Sequence, residues 1–219
     1  MICLKNVDKV YRGAKFETKA LLDVSLEIQD GEFVAVMGES GSGKTTLLNI
    51  LGGMDHATGG EVWFDDVNTQ TLKPGGLDRF RKKNISFIFQ HFVLMEEYTV
   101  YENLEAPLLA RNVKKSERNR LIKDAMAYLG IEDLIYQLPS QISGGQKQRV
   151  AIARSIVSGC PIIMADEPTG ALDEENTKNV MQLLQSLHEN GKTIIVITHD
   201  QQVANYADRI IFLHNGRIV

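Results

Sequence analysis

Cysteine is scarce in this sequence: only Cys3 and Cys160 occur among 219 residues, far apart and in apolar surroundings. Neither belongs to a cluster with the spacing of metal ligands. Both are therefore expected to be reduced, buried packing residues. Nothing in this cysteine usage indicates an oxidising compartment.

Long apolar runs and a strong charge of one sign are also missing. No apolar run approaches the ~18 residues that a membrane-spanning helix needs, and the first residues lack the basic-then-apolar order of a signal peptide. The chain is therefore expected to be cytosolic and to act at a membrane only through a partner. Its 24 basic and 28 acidic residues give a formal net charge of −4, which does not favour nucleic-acid binding.

Five short apolar runs, separated by helical segments, indicate the main sheet of an α/β protein. They are Glu32–Met37, Ile85–Phe89, Ile162–Ala165, Thr193–Thr198 and Ile210–Leu213. Such runs are typical of a mainly parallel sheet that is covered on both faces.

Two other regions depart from this pattern. Three segments of the N-terminal third alternate like half-buried strands and predict a small antiparallel sheet: Val7–Val10, Leu21–Ile28 and Glu61–Phe64. Residues 99–158 are mostly helical and fall between two predicted core strands. We therefore expect a single domain over residues 1–219, in which 1–98 and 159–219 form the catalytic core and the antiparallel sheet, and 99–158 form an inserted helical subdomain.

Capping residues predict where two helices begin and end. Ser116 is expected to cap a helix that stops at Gly130, and Asp173 to cap another that stops at Gly191. A run of charged residues around the first of these starts is interpreted as a solvated helix face; it comprises Lys114, Lys115, Glu117, Arg118 and Arg120.

A glycine-rich motif follows the first apolar run. Residues 38–45 match the phosphate-loop pattern G-x-x-x-x-G-K-[ST]. The glycines let successive N–H groups converge on phosphate oxygens, and the next helix adds its positive end. Lys44 supplies a charge for the β- and γ-phosphates, and the Thr45 hydroxyl can reach Mg²⁺. The candidate nucleotide-binding residues here are Gly38, Ser40, Gly41, Ser42, Gly43, Lys44, Thr45 and Thr46.

Two carboxylates end the strand predicted at Ile162–Ala165. Asp166 suits the role of holding Mg²⁺ through its water shell. Glu167 is expected to be extended and therefore to point the other way, where it can act on a water in line with the γ-phosphate. An apolar strand that ends in Asp-Glu is a weak signal alone, but beside a phosphate loop it indicates nucleotide hydrolysis.

The segment Ile142-Ser143-Gly144-Gly145-Gln146 closely resembles the LSGGQ signature of ABC ATPases, with isoleucine in place of the leucine. This signature separates ABC proteins from other phosphate-loop proteins such as kinases and GTPases. The resemblance implies that Ser143, the two glycine N–H groups and the start of a helix at Gln146–Ser158 recognise an anion.

Further positions follow the pattern of the same family in order. Tyr11 resembles the aromatic residue that stacks on adenine, although Phe16 is an alternative for that role. Gln90 resembles the Q-loop glutamine that senses Mg²⁺ and water, Asp173 lies in the D-loop, and His199 resembles the switch histidine that contacts the γ-phosphate. The resemblance covers essentially the whole chain and implies the ABC ATPase variant of the P-loop NTPase fold, with Mg-ATP as its ligand.

The resemblance also implies a composite site, in which Lys44 and Ser143–Gln146 hold the same nucleotide. Because the helical insertion separates them within one chain, an ATP-dependent head-to-tail homodimer with two nucleotides is expected. Glu167 would handle the attacking water, with Gln90 and His199 arranging it.

A separate integral-membrane permease is expected as the second partner, docked near the apolar side chains of Phe89–Met95 and holding the chain at the inner face of the membrane. Residues 99–109, residues 168–173 and the extension from Tyr11 to Leu22, which contains Gly13 and Lys15, look most like the MacB/LolD/BceA branch. That branch pairs with MacB-type permeases and handles lipoproteins, toxins or antimicrobial peptides.

Three other functions within the family remain open. The first is a mechanical coupler like FtsE, which drives a permease-like partner to regulate cell-wall hydrolases. The second is the ATPase of a small-molecule importer. The third is a non-transport ABC ATPase of DNA repair or translation, which the short length and slightly acidic charge disfavour.

Overall fold

The computed structural model describes residues 1–13 and 16–219. Lys15, which belongs to the extension between Tyr11 and Leu22, lies outside the described residues. Within the described ranges, no helix combines the length and the apolar character needed to cross a bilayer. Cys3 and Cys160 are buried free thiols, as expected.

Strands and helices alternate along most of the chain. The strands are β1 (Ile2–Arg12), β2 (Glu17–Ile28), β3 (Phe33–Met37), β4 (Gly59–Phe64), β5 (Val67–Asn68), β6 (Ile85–Phe89), β7 (Ile162–Asp166), β8 (Thr193–Ile197), β9 (Arg209–His214) and β10 (Arg217–Ile218). The helices are α1 (Lys44–Leu51), α2 (Pro74–Asn84), α3 (Val100–Ala110), α4 (Lys115–Leu129), α5 (Gly144–Ser158), α6 (Glu174–Glu189) and α7 (Gln201–Ala204).

The main sheet has six strands in the order β10-β9-β3-β8-β7-β6, and every neighbouring pair is parallel except β10 with β9. All residues of β3 and β8 are buried, which explains why their sequences, apart from Thr193 at the start of β8, are apolar rather than alternating. The predicted mainly parallel sheet is therefore confirmed.

A second, antiparallel sheet has the order β2-β1-β4-β5. It contains the three alternating segments of the N-terminal third, so this prediction is also confirmed. Tyr11 lies near the end of β1, and residues 52–58 connect this sheet to α1.

Alternate residues of β3 belong to two different hydrophobic clusters. Ala35 packs with Leu104 of α3 and Ile152 of α5, whereas Val36 packs with Leu48 of α1 and other residues on the antiparallel-sheet side. Successive side chains of a strand point to opposite faces, so the parallel sheet lies between these clusters. The helices α3, α4 and α5 are inserted in the chain between β6 and β7.

The start of α4 differs from the prediction. The helix begins at Lys115 with no side-chain cap, so Ser116 lies inside its first turn and the predicted cap is wrong. Instead, Arg118 donates to the carbonyl of Val113 at 2.7 Å and pairs with Glu105 of α3 at 2.8 Å. Because Arg118 is largely buried in this contact, the interpretation of the charged run as a solvated face is also wrong for this residue.

Candidate active site

Four neighbouring strands of the parallel sheet end at the same edge, and each leads into a predicted site residue. The phosphate loop follows β3, His199 follows β8, Asp166 ends β7, and Gln90 follows β6. A cleft of about 700 Å³ opens at this edge. Its lining includes Tyr11, Gly38, Ser40, Gly41, Gly43, Lys44, Thr45, Thr46, Asp166, Glu167 and His199.

The phosphate loop has a conformation that requires glycine. Gly43 has φ +106°, and a Cβ atom added there would lie 2.3 Å from the carbonyl oxygen of Ala20. The helix α1 starts at the next residue, Lys44, and no side chain caps it. The first N–H groups of a helix have no partner within the helix. Uncapped and facing a cleft, they fit an anionic group.

The ammonium of Lys44 lies over the same loop. Its Nζ atom donates to the carbonyl oxygens of Gly38 at 2.6 Å and Glu39 at 2.8 Å. Ser42 differs from the other predicted residues of the loop, because it is buried and does not line the cleft. Its hydroxyl oxygen has no hydrogen-bond partner within the described part of the chain.

Asp166 is a half-buried carboxylate whose pKa is raised, first by burial and then by the nearby charge of Glu167, with Lys44 acting in the opposite sense. A bound cation would favour its ionised form. Residues 1–13 and 16–219 hold no group of three or more His, Cys, Asp or Glu side chains placed to bind a metal. Asp166 and Thr45 both line the cleft, and their carboxylate and hydroxyl oxygens are ligands of the kind that magnesium takes together with phosphate and water.

Glu167 contacts His199, with 2.7 Å between its Oε1 atom and the histidine Nδ1. This hydrogen bond and the carboxylate charge raise the pKa of His199. The Glu167 side chain is 18% exposed and that of His199 is 75% exposed.

The backbone of Glu167 is left-handed, with φ +44°, so the prediction of an extended residue is wrong. The physical reason is a pair of hydrogen bonds that turn the chain here. The N–H of Glu167 donates to Ile197 of β8 at 3.0 Å, and its carbonyl accepts from the N–H of Gly170 at 3.0 Å.

Gln90 is next to this turn but does not line the cleft. A Cβ atom added to Gly170 would lie 2.8 Å from the Nε2 atom of Gln90, so the amide packs against the glycine. The structure therefore brings Glu167 and His199 together, with Gln90 beside the turn that follows Glu167.

The signature segment forms a capped helix start. Ser143 caps α5 by accepting from the N–H of Gln146 at 3.3 Å, while Gln146 accepts from the N–H of Ser143 at 2.8 Å. The helix begins at Gly144, two residues earlier than predicted, because this reciprocal cap includes the glycines. A Cβ atom added to Gly145 would lie 2.4 Å from Oδ1 of Asn176 in α6, so any larger residue here would have to displace the Asn176 amide.

Asp173 caps α6, as predicted, by accepting from the N–H of Asn176 at 2.8 Å, and this bond lowers the pKa of its carboxyl group. Neither Asp173 nor any residue of Ser143–Gln146 lines the cleft of its own chain. Within one chain, then, the structure does not bring the signature segment to the phosphate loop.

The two candidates for the base-stacking ring are placed differently. Tyr11 lines the cleft and is 39% exposed, whereas Phe16 is 70% exposed and is not part of the lining. Two residues that sequence reasoning missed adjoin Tyr11, namely Lys9 and Asp55. The position of Lys9, two residues before Tyr11, places both side chains on one face of a strand, but no local feature of the sequence indicates Asp55 as their partner.

Comparisons with known proteins show which family the chain resembles. A sequence model of the family described as "ABC transporter" matches residues 21–170. An uncharacterized ABC transporter ATP-binding protein, YvrO of Bacillus subtilis, is 44% identical over 100% of this chain and 96% of its own length. The macrolide export ATP-binding/permease protein MacB of Hyphomonas neptunium is 43% identical over 100% of this chain, which spans only 34% of that protein.

A solved structure gives the same picture of the fold. It is described as the dimeric structure of a post-hydrolysis state of the ATP-binding cassette MJ0796 bound to ADP and Pi. It matches with a TM-score of 0.92 and 43% sequence identity, over 100% of this chain and 96% of that one.

Proposed function

Because the chain belongs to the ABC transporter family, among its ATP-binding proteins, we propose that it binds Mg-ATP in the cleft described above and hydrolyses it to ADP and phosphate. One observation carries this proposal: an uncapped helix start, the ammonium of Lys44 and the carboxylates of Asp166 and Glu167 meet at one cleft. That combination suits a triphosphate, its metal and an attacking water.

The phosphates would bind at the loop before α1. Its N–H groups and the positive end of the helix would hold the phosphate oxygens. Lys44, which lines the cleft through the same loop, would exchange its bonds to the carbonyls of Gly38 and Glu39 for bonds to phosphate. A charged acceptor strengthens such hydrogen bonds, so this exchange is favourable.

Magnesium would be held by Thr45 and Asp166, with Gln90 reaching it after its side chain leaves Gly170. When bound, the ion supplies compensation for the charge that develops on the transferring phosphoryl group. Because the pKa of Asp166 is raised, its carboxyl group would lose any bound proton when it binds the metal ion.

Glu167 would orient the attacking water and accept its proton. Its low exposure limits competition from bulk water, and the contact with His199 Nδ1 fixes the direction of the carboxylate. His199, much more exposed, would present its ring toward the γ-phosphate.

The nucleotide would be completed by a second copy of the chain. The signature segment Ser143–Gln146 lies outside the cleft of its own chain. The Ser143 side chain caps only the N–H of Gln146, so the first N–H groups of α5, at Gly144 and Gly145, suit a phosphate. We propose a head-to-tail dimer in which this segment closes over the nucleotide held at Lys44 of the partner. The dimeric arrangement named for the MJ0796 cassette supports this proposal.

A separate permease of the MacB type is the proposed membrane partner, because the MacB relative joins an ATP-binding and a permease part in one protein. Exposed apolar side chains follow Gln90 and continue onto α3, where a partner could cover them; they include Val93, Met95, Tyr98 and Leu109. The chain would then lie at the inner face of the cell membrane and power export or peptide handling. In this proposal, residues 99–158 form the subdomain that transmits the motion.

Phosphate release in the presence of Mg-ATP tests the proposed hydrolysis. Glu167→Gln keeps the size of the side chain but removes its basicity, so the turnover should fall by about a hundredfold or more. Glu117→Gln is the matched control, because Glu117 is exposed on α4, and it should behave as wild type. Equal turnover in the Glu167→Gln and Glu117→Gln variants would show that Glu167 is not the group that acts on water.

A further inference from the structure

Lys9 is a buried cation beside the candidate base-stacking ring. It is 8% exposed, and its Nζ atom lies 4.8 Å from the centroid of the Tyr11 ring. The two residues are two apart on β1, so their side chains share one face of the strand. Burying an ammonium group costs free energy unless the charge is paired with a hydrogen-bonding partner, so a buried Lys9 requires such partners.

Asp55 is the common partner of the lysine and the tyrosine. One carboxylate oxygen accepts from Lys9 Nζ at 2.7 Å, and the other accepts from the Tyr11 hydroxyl at 3.0 Å. Burial opposes ionisation of Asp55, but the hydrogen bonds from Lys9, Tyr11 and the N–H of His56 outweigh it and lower its pKa. The carboxylate is therefore charged at neutral pH, and it fixes both the ammonium and the edge of the ring.

Asp55 is also attached to the helix of the phosphate loop. Its N–H donates to the carbonyl of Asn49 in α1 at 3.2 Å, and the N–H of Met54 donates to the same oxygen at 2.8 Å. The helix begins at Lys44. A short chain of contacts thus runs from the Tyr11 ring in the antiparallel sheet, through Asp55, to Asn49 of the helix whose first residue is Lys44.

We propose that Lys9 and Asp55 are positioning residues that fix the Tyr11 ring at the base-binding end of the cleft and set its distance from the phosphate loop. Lys9 is buried and Tyr11 partly exposed, so the ammonium covers one face of the ring and leaves another for a nucleobase. The cation also holds the ring by its attraction to the π-electrons. This inference rests on the proposed function, in which Tyr11 stacks on the base of ATP.

Calorimetric titration with two ligands tests the inference. Mg-ATP carries a base, whereas magnesium tripolyphosphate has only the phosphates. Lys9→Met removes the cation–π contact with Tyr11 and the hydrogen bonds to Asp55 and to the carbonyl of His56. The ring is then held less firmly, so the Kd for Mg-ATP should rise about three- to tenfold. The Kd for tripolyphosphate and the turnover at saturating ATP should not change. Asp55→Asn, which keeps the shape of the side chain, should give the same selective loss.

Two further variants separate positioning from a general structural role. Lys5→Met is the matched control, since Lys5 lies on the same strand, 5.9 Å from the Trp63 ring, and it should leave both Kd values unchanged. In a Tyr11→Ala background, Lys9→Met should weaken ATP binding no further. Lys9→Arg, which keeps a cation at this position, should have an affinity for Mg-ATP close to that of the wild type.

The outcomes distinguish this inference from the proposed function. If the wild-type chain binds neither ligand, the proposed function fails and the inference fails with it. If the wild-type chain binds both ligands, the inference alone is overturned by any of three results: an unchanged Kd for ATP in Lys9→Met, an equal loss for both ligands, or the same loss in the Tyr11→Ala background.

Discussion

Replacing Glu167 by glycine and, separately, by alanine isolates the backbone strain at the proposed catalytic residue. Its φ of +44° is left-handed, a region in which a β-carbon costs about 1–2 kcal/mol. The hydrogen bonds to Ile197 and Gly170 hold the residue there. Both variants lose the carboxylate and its contact with His199, so the difference between them reports only the β-carbon.

The expected difference follows from two opposing effects. At an ordinary position, glycine is less stable than alanine by about 0.4–1 kcal/mol, because it makes the unfolded chain more flexible. At residue 167, relief of about 1–2 kcal/mol of strain outweighs that loss. Glu167→Gly should therefore unfold with a free energy about 0.5–1 kcal/mol larger than Glu167→Ala, which raises the Tm by roughly 1–4 °C in a chain of this size.

Urea unfolding followed by the fluorescence of the single tryptophan, Trp63, measures the difference. Lys123, exposed on α4, provides the control: there the alanine variant should be more stable than the glycine variant by about 1 kcal/mol. The reasoning is refuted if Glu167→Ala is as stable as Glu167→Gly, or more stable, while Lys123 shows the ordinary order.

Three further predictions concern pH, packing and assembly. Because the pKa of His199 is raised, its protonated form stabilises the fold at pH values below the ordinary pKa of about 6.5. His199→Gln should therefore lower the Tm at a pH of about 5.5, and this loss of Tm should shrink as the pH rises through the folded-state pKa. A loss of Tm that is the same at every pH would contradict this prediction. Gly145→Ala should lower the free energy of unfolding by about 1–3 kcal/mol, measured by thermal unfolding, because the added methyl group clashes with Asn176. Adding Asn176→Ser should restore part of this stability. If it restores none, the clash with Asn176 is not the cause of the loss. Lys44→Ala and Ser143→Arg should each abolish ATPase activity when tested alone. An equimolar mixture of the two should recover about a quarter of the wild-type activity, because half of the dimers contain one chain of each kind and each such dimer has one intact site. Full activity of Ser143→Arg alone would exclude the composite site.

The sequence was sufficient to predict features that depend on a residue's own type and on its neighbours along the chain. The buried strands were recognisable because β3 and β8 are apolar except for Thr193, so neither shows the alternation of a strand with one solvated face. The cap at Asp173 was predictable because its carboxylate accepts a hydrogen bond from an N–H group only three residues further along the chain. The phosphate loop was recognisable for the same reason, since its glycines, its lysine and its helix start are contiguous.

Contacts between distant segments explain the errors. The start of α4 is set by Arg118 and Glu105, residues on two different helices, and a capping rule that considers only neighbouring residues favoured Ser116. Glu167 is left-handed because β8 accepts its N–H, although the residue follows a strand directly.

The network around Tyr11 was also inaccessible from the sequence. Its aspartate is 44 residues from the tyrosine and 46 from the lysine, and nothing local marks Asp55 as their partner. The sequence therefore predicted the groups that are proposed to touch the nucleotide, but it did not predict the contacts of Tyr11 with Lys9 and Asp55.

The most direct measurement is a calorimetric titration of the Glu167→Gln chain, in which hydrolysis should be slow, with Mg-ATP. One nucleotide should bind per chain, and adding Lys44→Ala should weaken binding by about a hundredfold or more, since it removes the ammonium over the phosphate loop. An absence of binding, or equal affinity with and without Lys44, would contradict the assignment of the cleft as the nucleotide site.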